Sequence, residues 1–482
     1  VISVKNLLLF MVLLMSGCVS TSRIEIMSTR DLQDTQITFG LQSHSLDNND
    51  NFSADGRYLC YDTRESVGPG IEHGYSIEVV DLTDNRPIIV YAPDAIMTGE
   101  TPAPGIGAVS FSQAVPEVSF IHGPPVSETE ARGFYGKPNR NGACVRLSGE
   151  VVERDGTFHM VKDGHYAFSW LDKRDVSTDR DTEAGAHRGG THRHEYCARG
   201  DRIGFTYDDF LLPQYDRTIG YMEPHENAPA PASHFFALLV AVAPMGQAGP
   251  GELEKAYGDA WVDPDGTMRA FIGKIRCENG VDYEESLFVA DIPRSVDITT
   301  ADAGSASRYP QPPLGITLRR LTSTFATGIV RGAPDGKRIA YYAKDARGVS
   351  QVFIIDALGS DKAEDPALRP IQVTSLPKGT KDGIRWTPDG KAILCISDDG
   401  LVLTSIVEGD GFGKSVFLTP HGDGINRHAP AFSPDGKRLA YNRPVPTGDD
   451  TGQVKKAYDG SDFVQIFILE KNDQKELSSI FD

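Results

Sequence analysis

Seven copies of one short phrase are spread along the 482-residue chain. The clearest are Ala333-Pro334-Asp335-Gly336-Lys337-Arg338, Thr387-Pro388-Asp389-Gly390-Lys391-Ala392 and Ser433-Pro434-Asp435-Gly436-Lys437-Arg438. Looser copies begin at Asp263, Ser53 and Ala198, and the weakest is Ala114-Val115-Pro116-Glu117. Proline presets φ at the second position of a tight turn, and Asp-Gly supplies the rest of the turn chemistry. Alternating apolar residues follow each turn, so each phrase predicts a turn entering a strand. Seven such units predict a radial repeat that closes on itself, a single seven-bladed β-propeller.

The rest of each unit agrees. A second β-rich run follows most phrases, as in Ile77-Glu78-Val79-Val80-Asp81 or Val352-Phe353-Ile354-Ile355-Asp356, and an outer strand comes after it, as in Leu318-Arg319-Arg320-Leu321-Thr322. That makes four-stranded antiparallel blades. No long segment carries an apolar helical period, so the fold class is all-β. The phrase resembles the TolB-like, WD40-like propeller repeat over nearly the whole chain. Closure is expected where Gln36-Ile37-Thr38-Phe39 lies beside the run from Phe463 to Leu469.

The first residues read differently. Val1 reads as a non-ATG start, and residues 7–15 are apolar but too few to cross a bilayer, which suits a signal peptide spanning 1–17. Ser16-Gly17-Cys18 resembles a bacterial lipoprotein box, so lipidation is expected at Cys18. Val19 after the cysteine implies the outer membrane or cell surface. Residues 18–35 read as a polar tether and 36–482 as the propeller. A net charge of −19 argues against general nucleic-acid binding. Five cysteines besides Cys18 cannot form a complete disulfide framework. Cys60 and Cys395 read as buried small hydrophobes, and a zinc site using Cys197 or Cys277 is a minor alternative.

Aligning the phrases gives equivalent positions. Two residues beyond the apolar anchor of each strand come Thr63, His122, Tyr207, Gly273, Ala343, Ser397 and Arg443. His122 and Tyr207 therefore stand at matching places on neighbouring blades, where a His and a Tyr are an acid/base candidate; the plain alternative is two unrelated strand-end residues. His187-Arg188-Gly189-Gly190-Thr191-His192-Arg193-His194 precedes Tyr207 and Arg217 follows it. On an acidic chain, this concentration of Arg and His suggests an anionic ligand, or else a solvated basic loop. Residues 172–186 read as an added polar loop beside it. Separately, His192 aligns with Asn48, Asp382 and His428 on the inner strands. These would line the central channel, as a polar ring, a metal site or plain water-filled lining.

Phe120-Ile121-His122-Gly123-Pro124, Arg188-Gly189-Gly190-Thr191-His192, Phe205-Thr206-Tyr207-Asp208-Asp209 and Arg217-Thr218-Ile219-Gly220 together resemble a bacterial family of TolB-like propellers of unknown function. They also resemble the propeller-type ulvan lyases of polysaccharide lyase family twenty-five. That resemblance implies His122 and Tyr207 as base and acid. It implies Arg217 at the uronate carboxylate, while Arg188 and His192 of the Arg- and His-rich run stand as further substrate-binding candidates. The family's second histidine is missing from residues 134–142, where Asn139 or Arg140 would substitute. The expected activity is β-elimination on an ulvan-like, uronate-containing sulfated polysaccharide by a monomer that needs no cofactor for chemistry. A structural divalent metal stays open. The membrane would be met only through the lipid. The alternatives are a non-catalytic envelope propeller that docks a protein or glycan, and a metal-dependent enzyme centred on the channel histidines.

Overall fold

Each turn phrase does in three dimensions what its residues dictate. The computed structural model describes residues 24–26, 31–47, 50–64, 70–323, 325–457 and 459–482. In six phrases the glycine N–H returns to the carbonyl three residues back, for example Gly336 to Ala333 and Gly436 to Ser433, both at 2.9 Å. Those six glycines, Gly56, Gly200, Gly266, Gly336, Gly390 and Gly436, hold φ between 62° and 73°, a region a side chain resists. The Pro116 copy lacks the glycine and closes instead through Glu117 to Val115 at 2.8 Å.

Seven antiparallel sheets result, each carrying one phrase. In the second blade the strands are Ile106–Phe111, Glu117–His122, Asn141–Arg146 and Phe168–Trp170, from channel to rim; in the third they are Gly189–Tyr196, Ile203–Asp209, Thr218–Pro224 and His234–Leu238. The ring closes as expected: Leu32–Gln36 pairs antiparallel with Phe463–Lys471, and Ile37 adds a 2.9 Å bond to Ile466. Because this strand starts at Leu32, the end of the segment read as a tether belongs to the propeller. Earlier in that segment, Ile24–Ile26 pairs in parallel with Ser415–Phe417 on the rim of the sixth blade. Residues 1–17, Cys18 and Asn48 lie outside the described residues.

Two additions depart from a plain four-stranded repeat. One is the strand just named. The other is a hairpin, Glu150–Arg154 with Thr157–Val161, inserted in the second blade. It reaches across to the first blade's outer strand, pairing His159 with Ile89.

Packing is between neighbours. One apolar cluster joins blades one and two through Cys60, Val79, Phe111 and Phe120; another joins blades six and seven through Leu394, Leu403, Tyr441 and Phe467. The aligned anchors Tyr61, Phe120, Phe205, Phe271, Tyr341, Cys395 and Tyr441 are all buried, as their apolar character requires. Cys60, Cys144, Cys197, Cys277 and Cys395 are all free thiols.

Candidate functional site

The inner strands of the second to seventh blades each carry a register shift, as between His192 and Glu195, Asp382 and Arg385, and His428 and Ala431. A bulge of this kind bends the strand and re-aims its side chains. His192, Asp382 and His428 consequently line one cavity of about 210 Å³ in the channel, together with Asp47 and Arg193. Three of the aligned inner-strand positions therefore do meet. Among the described residues no group of three or more His, Cys, Asp or Glu is arranged to hold a metal ion.

The seven expected site residues fall in separate places. His122 ends its strand with its ring inside an aromatic pocket: the Trp170 centroid lies at 4.9 Å, Tyr91 at 5.7 Å and Phe168 at 5.8 Å. Nδ1–H donates to the Gly123 carbonyl at 2.6 Å, so Nε2 of the neutral ring accepts from the Tyr91 hydroxyl at 2.8 Å. Burial pushes its pKa down to about 4 because the charged ring would lose hydration.

Tyr207 is buried against Phe236 of its own blade's outer strand and His187. Its hydroxyl donates to Asp209 at 3.1 Å, and Asp209 accepts from Arg188 Nε at 2.9 Å. Arg188 Nη1 also donates to the Arg308 carbonyl at 2.7 Å. Arg188 is thus a buried strut tying blade three to the loop 301–311. Burial, then the Asp209 charge, pushes the Tyr207 hydroxyl well above its ordinary value. His122 and Tyr207 share no partner: each packs over its own blade's outer strand, His122 on Trp170 and Tyr207 on Phe236.

Arg217 and Arg140 do come together. Tyr207 pairs with Thr218 across the sheet, which sets Asp208 opposite Arg217 on the other face from Tyr207. Arg217 grips Asp208 with two bonds, Nη2 at 2.7 Å and Nε at 3.2 Å. Arg140 brings Nη2 to 3.5 Å from the same carboxylate and donates Nη1–H to Tyr135 at 3.1 Å. Its Nε and Nη2 are buried without a hydrogen-bond partner. Gly190 makes this approach possible, since a Cβ there would stand 2.1 Å from the Lys137 carbonyl and 3.1 Å from Arg140. Burial, then the charges of Arg140 and Arg217, drives His192 well below the ordinary imidazole value, so it is neutral. Asn139 plays a different part, donating to the carbonyls of Arg132 and Phe134 at 2.8 Å and knitting its own loop. Of the two substitutes considered for the missing histidine, Arg140 is the one that faces Arg217.

Residues 172–186 are more than an added polar loop. Asp172 is fully buried and takes Thr191 Oγ1 at 2.6 Å, Asn141 Nδ2 at 2.8 Å and the Gly142 N–H at 3.0 Å. Although burial alone would raise it, His187 beside it holds the carboxyl down at about 2. This hub fixes the strand that carries Gly190 and His192. Sequence reasoning passed over Asp172, Asp208 and Tyr91. Only Asp208 carried a local signal, as the neighbour of Tyr207.

Residues 105–234, a stretch that holds all seven expected site residues, match the family model described as "Protein of unknown function (DUF3748)". The "Uncharacterized protein YidR" of Escherichia coli (strain K12) is 26% identical over 435 residues, covering 84% of this chain and 94% of that one. Among solved structures, the oligogalacturonate lyase of Vibrio parahaemolyticus is similar with a TM-score of 0.38 at 10% identity, covering 92% of this chain and 95% of that one. TolB from Acinetobacter baumannii gives 0.34 at 12% identity, over 75% and 66%.

Proposed function

We propose that the protein is a polysaccharide lyase that cleaves an anionic, uronate-containing glycan of the ulvan type by β-elimination at the channel mouth over blades two and three. The observation that carries this reading is the convergence of Arg140 and Arg217 on the Asp208 carboxylate beside neutral His192. A carboxylate already sits between two guanidiniums there, and Arg140 retains donors that Asp208 does not satisfy. A uronate carboxylate has the same charge and bidentate geometry.

The chemistry follows from that charge. The C5 proton of a uronate is too weakly acidic to leave while the adjacent carboxylate is unscreened. Two guanidiniums offset the negative charge and stabilise the enolate that develops as the proton departs. His192, neutral and next to them, has a free lone pair to accept that proton. The C5–H electrons form the C4–C5 double bond, the C4–O4 bond breaks, and O4 leaves with a proton supplied by an acid. The motif resemblance gives His122 and Tyr207 the base and acid roles. Both are enclosed, so those roles require the loops 123–140 and 171–188 to open; catalytic hydrogen bonds often align only in the substrate complex. His192 instead lines the channel cavity. A lipid on Cys18 would hold the enzyme at the outer membrane.

The test incubates purified protein with ulvan and other polyuronates and follows ultraviolet absorbance of the new double bond. Arg217→Ala and Arg140→Gln are expected to reduce the rate together with substrate affinity. Loss of a proton-transfer group costs about 10²–10⁴-fold, so the rates of His192→Ala, His122→Ala and Tyr207→Phe assign the base and acid. No absorbance rise with any polyuronate defeats the lyase reading.

A further inference from the structure

Beyond the ring of His192, Asp382 and His428 lies a second ring, three residues further along each inner strand. Glu195, Arg331 and Arg385 occupy it, each five residues before the turn glycine of its blade, Gly200, Gly336 and Gly390. Arg331 and Arg385 line both the upper cavity and a larger one below, about 350 Å³, that opens among the turn phrases. They form the waist between the two chambers.

Arg331 at this waist is short of partners among the described residues. Arg331 is only 3% exposed, and its Nε and Nη2 have no hydrogen-bond partner; Nη1 is spent on the carbonyl of Val330 at 2.9 Å. Arg193 reaches into the upper chamber from a left-handed backbone position, φ 57°, and its side chain makes no ion pair or hydrogen bond among the described residues. Among the described residues the carboxylates nearby are mostly committed elsewhere. Asp47 pairs with Arg64 at 2.7 Å, and Glu195 with Arg269 at 3.0 Å. Burial, then the charge of Glu195, raises Asp50 to about 7, so it is only partly ionised at neutral pH. Asp382 remains. Burial and the like charges of Arg385 and Arg193 press Arg331 well below its ordinary value. A guanidinium stays protonated regardless, so that pressure is a standing cost of holding the cation there, and an anion would relieve it.

We propose that the channel waist is a binding site for one small free tetrahedral oxyanion, phosphate or sulfate, held by Arg331 and Arg193, with the charge of Arg385 beside them. The donors are planar forks that suit such oxygens, and the chambers on either side have room for the ion and its waters. This site is distinct from the Arg140–Arg217 mouth, and its failure would leave the lyase reading standing.

Calorimetric titration of the intact protein with inorganic sulfate and inorganic phosphate, against chloride at matched ionic strength, tests it. One saturable oxyanion per chain is expected, with a rise in melting temperature that chloride does not give. Arg331→Gln is expected to weaken binding by at least about 10-fold, the loss of one charge-assisted contact. Should Arg331→Gln fail to fold, Arg193→Gly replaces it. Glycine relieves the left-handed position, so that variant should melt no lower than wild type without ligand and still bind oxyanion more weakly. Absence of saturable binding, or unchanged affinity in the folded variant, overturns the proposal. Binding lost in Arg217→Ala but kept in Arg331→Gln places the ion at the mouth and also overturns it. A sulfated disaccharide that competes more tightly than inorganic sulfate would show an ester group as the true occupant and overturn the free ion.

Discussion

His122 shows how a single residue can be rightly located and still have unforeseen surroundings. Its place at the end of the second strand of its blade follows from the repeat. Its partner Tyr91 lies 31 residues away on another blade, and only the packing of blades one and two brings them together. The same packing makes the ring a stability sensor. In the unfolded chain a histidine titrates near its ordinary value of 6.5, and burial holds His122 at about 4 in the fold. Between those values the unfolded state binds more protons, so stability is present above about pH 6.5 and is lost as pH falls toward about 4. His44, His194 and His234 are held at about 4 by burial in the same way, while Asp50 works in the opposite direction. The informative measure is therefore a difference. His122→Gln keeps a donor for Gly123 and an acceptor for Tyr91 but cannot titrate. Urea unfolding from pH 7.5 to pH 4.5 should show the variant losing less stability than wild type, by up to about 1.4 kcal/mol per pH unit. Identical slopes would show that the ring is not buried neutral.

At the scale of strands, the phrase was readable because its information is local: six residues carry the turn, the positive-φ glycine and the first apolar anchor. The mouth was only half readable. Arg217 and Asp208 face each other across one hairpin, so motif reasoning reached Arg217. Arg140 comes from another blade, and its approach depends on a glycine and on the buried Asp172 hub. The channel waist was not legible although Arg331 and Arg385 share a repeat position, because only the packing of the blades sets that position between two chambers. Closure makes a sharp prediction here. A chain starting at residue 31 keeps Leu32–Gln36 and with it the seal on Phe463–Lys471. A chain starting at residue 38 removes that strand and leaves the five residues Phe467–Lys471 unpaired on one side. Exposed edges of this kind invite association between chains. The shorter chain should melt lower and form aggregates by light scattering, and the longer one should not. Equal melting temperatures for the two would mean that the closing strand adds nothing to the ring.

Over the whole molecule, charge and shape pull in different directions. The chain carries a net −19, yet the mouth presents Arg140 and Arg217 against a single shared Asp208. A polyanionic glycan is therefore repelled at long range and attracted at contact. Salt acts on these two terms unequally. The Debye length is about 30 Å at 0.01 M and about 8 Å at 0.15 M, so the first additions of salt screen the distant repulsion while leaving contact pairs largely intact. Further salt then weakens the pairs themselves. Affinity for an anionic glycan should consequently rise from about 0.01 M to about 0.1 M salt and fall above it. A purely cationic binding face would give a monotonic fall from the start. Titration of ulvan oligosaccharides into a catalytically silent His192→Ala, His122→Ala double variant across that range distinguishes the two. Arg217→Ala should lower the whole curve and blunt its descending limb, since that limb reports the contact pairs. A monotonic fall in the unaltered mouth would show that the acidic bulk of the propeller is too remote to act on the ligand. An affinity indifferent to Arg217 would show that the glycan is held elsewhere on the ring.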